Sequence, residues 1–287
     1  MSDTNAPRRP GPWDPKPEEA SAPAPAAPAP APRAPVAEPP LDKGQHPVWA
    51  IVSTLLLGGL IWWLSGSWVI AAAAIWGLFV HEYGHVLAMN RLGMGPARIY
   101  IVPFLGGVAR SQRLPQSEWH GVLVSLAGPA FGLLAAIPFF GLFIATGQGV
   151  WLLGAGIIAL INLVNLAPAP PLDGSKALGP VLARVHPMLE QLAMIAVGAL
   201  VVWWGVSTGR FILAAFLAIA LIGHLRRGAW RPEGRPLTVR ESLASVGLFV
   251  ATAAACAGVG VAAVMPLAEG SLPGALSIAG GYLGVGR

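Results

Sequence analysis

Charge is what this chain has least of. Asp, Glu, Lys and Arg make up 11% of its 287 residues, where soluble domains carry about 25%. With 55% hydrophobic residues and a mean hydropathy of +0.64, that shortage excludes an ordinary soluble domain and reads as a polytopic membrane protein. A single cysteine, Cys256, lies in an apolar stretch, so an intrachain disulfide is excluded. Acidic residues are scarcer than basic ones, and a net charge of +5 would suit a nucleic-acid partner. The arginines lie instead in loops between apolar runs, where they set topology, so no nucleic acid is expected. The chain does not open with the charged start and short apolar run of a signal peptide.

What is present begins with proline and alanine. Residues 1–45 are dominated by these two, with scattered charges and almost no large apolar side chains. Such a stretch cannot bury enough surface to offset its ordering entropy, so it is expected to be a disordered cytoplasmic tail. Seven apolar stretches follow: 48–64, 68–90, 119–147 with a break expected at Gly128-Pro129, 150–166, 189–206, 211–225 and 243–266. The expected fold is an all-α polytopic membrane protein with about seven transmembrane helices. A first span lies in 46–67, a core in 68–186, further spans in 187–266, and a Gly-rich tail of no assignable structure in 267–287. Between the second and third stretches, residues 97–110 alternate β-branched and aromatic residues before Gly106-Gly107. That pattern fits a short reentrant hairpin whose free edge pairs with an extended peptide, and it fits a plain surface loop equally well.

Lys and Arg orient the chain. With a cytoplasmic N-terminus, sixteen of the eighteen fall in the inner segments and only Arg210 and Arg287 outside, as the positive-inside rule requires. The chain is therefore expected in a membrane, the cell (inner) membrane, with lipid around it.

One run carries chemistry. His81-Glu82-Tyr83-Gly84-His85 ends the second apolar stretch, after thirteen uncharged residues, 68–80. On a helix the two imidazoles stand one turn apart on one face, spaced to grip one zinc ion, with Glu82 beside them as general base. Three ionisable groups in an apolar helix are too costly to be idle packing. Eight residues separate Tyr83 from Arg91, or about 12 Å of helix, so the motif lies inside the bilayer nearer the cytoplasmic face. Zinc needs at least one more protein ligand. The acidic residues within or beside the spans are Glu82, Glu118, Asp173, Glu190 and Glu241. Asp173 stands out because it follows Asn165, Pro168, Pro170 and Leu172 and precedes Gly174. The prolines break the fourth helix at the depth of His81 and His85.

HExxH in a membrane helix, followed eighty residues later by NxxPxPxLDG, resembles the site-2 protease family of intramembrane zinc metalloproteases, in a compact form without a PDZ domain. The resemblance covers about 68–186. It implies one Zn2+ per chain held by His81, His85 and Asp173, with Glu82 catalytic and Asn165 against the substrate peptide. It favours the hairpin over the loop, which makes Gly106 and Gly107 substrate-binding candidates. It implies a single-span membrane protein substrate and regulated intramembrane proteolysis. The family's GPxxN pattern is matched in part, since Gly132 stands where Asn is expected. Two other readings stay open at this stage. One is a different membrane metalloprotease using Glu190 or Glu241. The other is a non-catalytic zinc scaffold or a metal transporter, although a transporter needs polar residues at successive depths and spans five to seven are nearly bare of them.

Overall fold

A computed structural model describes residues 43–102, 106–209, 211–227 and 234–283. The expected disordered tail falls, up to residue 42, outside the described residues. Two apolar helices open the described chain, α1 (Pro47–Ser65) and α2 (Trp68–Arg91). They are joined by a turn in which Gly66 takes a left-handed φ of 67°, a conformation that favours glycine. Ser67 then caps α2, its Oγ accepting from the Ile70 N–H at 3.4 Å. After α2 come β1 (Arg98–Val102) and β2 (Gly106–Arg110), antiparallel with Ile101 opposite Gly107. The segment is thus a hairpin and not a plain loop.

α3 (Glu118–Gly132) follows, capped by Ser117, and passes through a 3-10 turn (Leu133–Ala136) into α4 (Ile137–Thr146). The break expected at Gly128-Pro129 lies elsewhere. α3 runs through Pro129 for most of another turn, and the tightening comes at 133–136. A proline removes one backbone hydrogen bond, whereas breaking the helix in an apolar setting would strip several more. α5 (Val150–Asn165) ends where the prolines begin, and α6 (Asp173–Val185) starts at Asp173 itself. α7 (Pro187–Ser207), α8 (Phe211–Arg227), α9 (Val239–Val264), a second 3-10 turn (Met265–Ala268) and α10 (Leu272–Leu283) complete the described chain. The Gly-rich end that had no assignable structure in sequence thus contains a helix.

Five of the described stretches are long and apolar enough to cross a membrane: α1, α2, α3–α4, α7 and α9 with its 3-10 turn. The expectation of seven includes α5 and α8. At 16 and 17 residues both fall short of the roughly 20 that a perpendicular crossing needs. The layers follow from burial. Of α2's apolar stretch 56% is buried inside the protein, against 11% for α1 and for α9. α1 and α9 turn large apolar side chains such as Leu55, Trp63, Leu243 and Val250 outward, an exterior suited to lipid and not to water.

Missing side chains set how closely the central helices pack, as in membrane bundles generally. A β-carbon on Gly84 of α2 would stand 2.5 Å from the Ala127 carbonyl oxygen and 2.8 Å from Phe131 Cβ, both in α3. One on Gly77 would stand 2.9 Å from Ile158 Cγ1 in α5. α2 is thereby drawn against α3 and α5 together. On the far side of α3, Leu237 ties the helix starts and ends. Its N–H donates to Glu118 Oε2 at 2.9 Å, and its carbonyl accepts from Arg184 of α6.

Gly84→Val is expected to lower stability in detergent by about 1–3 kcal/mol through overpacking. Gly59→Val, where a β-carbon meets nothing within 4 Å, leaves it within about 0.5 kcal/mol. Denaturant titration followed by circular dichroism reads both.

Candidate metal centre

His81 and His85 stand on the buried face of α2, one turn apart, and Asp173 opens α6. The turn between α5 and α6 is what delivers Asp173. Pro168, Pro170 and Pro171 cannot continue α5, and the chain turns on short-range bonds, from the Ala169 N–H to the Ala167 carbonyl at 2.8 Å and from the Leu172 N–H to the Ala169 carbonyl at 2.9 Å. Gly174 is part of the same turn, because a β-carbon there would collide with the Leu166 carbonyl. Asp173 in the first turn of α6 also meets the positive end of the helix dipole.

The three side chains converge. His81 Nε2 lies 3.1 Å from Asp173 Oδ2, His85 Nε2 lies 3.3 Å from the same oxygen, and the two Nε2 atoms are 3.1 Å apart. All three residues are 6% exposed or less. Among the described residues this is the one group of three or more His, Cys, Asp or Glu able to share an ion.

The other ring nitrogens set the tautomer. His85 Nδ1 faces the Val124 carbonyl at 2.7 Å, and a carbonyl only accepts, so Nδ1 donates. His81 Nδ1 faces Asn162 Oδ1 at 2.9 Å, while Asn162 Nδ2 donates to the Ile158 carbonyl at 2.8 Å. The amide is thus oriented, and His81 Nδ1 also donates. In the neutral rings that bind a metal, a donating Nδ1 leaves the lone pair on Nε2, and both Nε2 atoms are aimed at each other and at a carboxylate. Such a set is self-repelling unless a cation sits among them. Zinc bound tetrahedrally at about 2.0–2.1 Å from N and O donors sets those donors about 3.3 Å apart, which the distances match. The residues fit the ion, and the hydrogen bonds behind each imidazole are those that orient metal-bound histidines.

α3 makes room for this. Val124, Gly128 and Gly132 recur every four residues on one face of the helix. Val124 offers its carbonyl to His85. A β-carbon on Gly128 would collide with His85 Nε2 and Cε1 and stand 3.0 Å from His81 Nε2. One on Gly132 would collide with the Asn162 amide.

The remaining candidates separate into those near the cluster and those apart from it. Glu82 is 6% exposed and lies under the hairpin, where a β-carbon on Gly107 would stand 3.1 Å from its Oε1. Gly106 sits one residue further, over Leu78, with a left-handed φ of 108°. Asn165 is not joined to the cluster, since its Nδ2 turns back to the Ile161 carbonyl at 3.0 Å. Glu241 closes a capping box with Thr238 and pairs with Arg235 at 2.6 Å. Glu190 lies beside Gly179, between α7 and α6. Neither reaches the histidines, so the metalloprotease reading built on them has no ligand set. Gly128 and Asn162 are the residues that sequence reasoning missed. Asn162 lies one helical turn before Asn165 in an otherwise apolar helix, and no spacing marks His81 as its partner.

The model of Peptidase family M50 matches residues 69–150. "Putative zinc metalloprotease sll0528" of Synechocystis is 30% identical over 175 residues, 57% of this chain and 44% of that protein. "Putative zinc metalloprotease Rip3" of Mycobacterium tuberculosis is 27% identical over 231 residues, 72% of this chain and 51% of that protein. "Probable zinc metalloprotease EGY2, chloroplastic" of Arabidopsis thaliana is 26% identical over 218 residues, 60% and 38% of the two. The chain spans about half the length of these relatives, or less. No solved structure matches it.

Asp173→Ala is expected to lower the zinc content of purified protein from about one per chain to well below half, since two imidazoles alone do not complete a site. Gly128→Ala is expected to weaken zinc at least about tenfold by displacing both imidazoles. Elemental analysis reads the first and chelator competition the second.

Proposed function

We propose that this chain, whose residues 69–150 match Peptidase family M50, is an intramembrane zinc metalloprotease that hydrolyses peptide bonds of single-span membrane proteins. The observation that carries the reading is the convergence of three lone-pair donors within 3.3 Å beside a buried carboxylate that is not one of them. A site that only held zinc would not require that fourth group. His81, His85 and Asp173 would hold one Zn2+, and Glu82 would be the general base.

When bound, zinc makes water acidic enough to attack near neutral pH and withdraws charge from the reacting carbonyl. The chain's own residues do the rest. Glu82 takes a proton from the attacking water on a carboxylate oxygen and delivers it to the amine nitrogen of the departing peptide half. The small residues around the histidines, Gly84 and Gly128, leave no side chain between them and α3, and burial of the three donors shields them from bulk water. The peptide must arrive extended, because a helical segment has its carbonyls engaged. The hairpin offers a strand for it. Gln45 bonds both the N–H and the carbonyl of Ile101, at 2.8 and 2.9 Å, so Ile101 faces away from β2. In an antiparallel ladder its partner Gly107 then turns its own N–H and carbonyl outward on the opposite edge. A peptide pairing there would lie alongside Glu82. Gly106 and Gly107 bear no side chains to obstruct it, and Asn165, at the end of α5, is the candidate contact from the other side.

The same reading takes the chain as spanning the cell membrane seven times, with α5 and α8 as its short spans and the hairpin reentrant. The N-terminus is cytoplasmic and the site nearer that face, in keeping with the Lys and Arg asymmetry. The role is cleavage of a membrane protein in regulated proteolysis.

Glu82→Gln is expected to abolish cleavage of a single-span test substrate in detergent micelles, a loss of more than about 10³-fold, with zinc content unchanged. A chelator should stop the wild-type enzyme, and added Zn2+ should restore it. Cleavage by the Gln variant at the wild-type rate would remove the base role.

A further inference from the structure

Asn162 and position 132 occupy the same space. A β-carbon on Gly132 of α3 would collide with Asn162 Oδ1 and stand 2.7 and 2.8 Å from its Cγ and Nδ2. Asn162 belongs to the neighbouring helix α5, is fully buried, and spends its oxygen on His81 Nδ1 and its nitrogen on the Ile158 carbonyl. The amide therefore sits where a side chain from either helix would put it. Gly132 is the last of three α3 positions on one face, after Val124 and Gly128, and its β-carbon would fall on the Asn162 oxygen that faces His81's far nitrogen.

We propose that Asn162 is a positioning residue for the metal centre, holding the hydrogen on His81 Nδ1, and that position 132 can supply the same amide in its place. The pair is one site with two possible owners. An asparagine on α3 needs a small residue on α5, and an asparagine on α5 needs glycine on α3. This chain uses the second arrangement, which accounts for both Gly132 and Asn162. It also has a mechanical consequence: His85 is braced from α3 through Val124, whereas His81 is braced from α5, the helix that leads into the proline turn and Asp173. Two of the three donors thus depend on the placement of α5.

The proposal rests on the metal reading of His81, His85 and Asp173, and wild-type zinc content tests that reading separately. Zinc affinity is measured by chelator competition on purified full-length protein in detergent, and the visible absorption of the Co2+-loaded protein reports ligand geometry. Asn162→Leu is expected to weaken zinc about 10–100-fold and to alter the cobalt spectrum. Asn162→Asp keeps an acceptor for His81 Nδ1 and is expected to retain the wild-type spectrum, which an amide serving only to tie α5 to itself would not predict. Gly132→Asn alone, with two side chains in one space, is expected to weaken zinc as well. Gly132→Asn combined with Asn162→Ala is expected to return affinity to within about fivefold of wild type, a non-additivity that marks direct coupling. Wild-type affinity in Asn162→Leu overturns the positioning role. A double variant no better than Gly132→Asn overturns the interchange. Zinc-free wild-type protein overturns the metal reading instead.

Discussion

Three electron pairs pointed at one another inside an apolar bundle form the constraint around which this structure is organised. Two come from α2 and one from the start of α6, and they meet within 3.3 Å. Nothing in a lipid-facing protein makes such an arrangement stable on its own, because each polar group buried there must be satisfied. The hydrogen bonds behind the imidazoles satisfy the outer nitrogens. The inner face is left for a cation. That division of labour, with neighbouring helices holding the outside of each ring and the inside able to share an ion, accounts for α3 and α5 both pressing on α2.

The pressing is done by absence. Gly77, Gly84, Gly128 and Gly132 each mark a place where another helix or a ring comes too near for a β-carbon. In lipid, helices gain nothing from hiding apolar surface from one another, so close contact and hydrogen bonds do the work. Here the small residues lie on the two helices that carry or surround the histidines. The outer helices keep their bulk: α1 and α9 present leucine, valine and tryptophan outward and contribute packing on one side only. α5 is short, yet it holds His81 through Asn162 and leads directly into the turn that delivers Asp173.

The hairpin relates to this centre from the other side. Its face rests on α2 at Leu78 and Glu82, and one edge is occupied by Gln45. The opposite edge is where the proposed peptide strand would pair. A short sheet of two strands is marginal alone; here the α2 face beneath it and the Gln45 side chain at its edge supply the missing support.

Much of this was legible in the residues alone. The scarcity of charge marked the membrane class, because the cost of a charge in lipid leaves no other composition. HExxH fixed a helical face, because helical period is local. The proline run announced a break before Asp173, because proline acts on its own backbone. The count of seven spans was not recovered by length, since α5 and α8 are shorter than a crossing helix. Pro129, fully buried, did not break α3, because in an apolar interior breaking the helix would strip more backbone hydrogen bonds than the one a proline removes. What only the tertiary structure decided was which residues stand behind the ligands. Gly128 and Asn162 lie on helices 43 and 81 positions along the chain from His85 and His81, and contact across such separations leaves no period to read. The ligand-bearing face belongs to local geometry; the space around it exists only once three helices have closed on it.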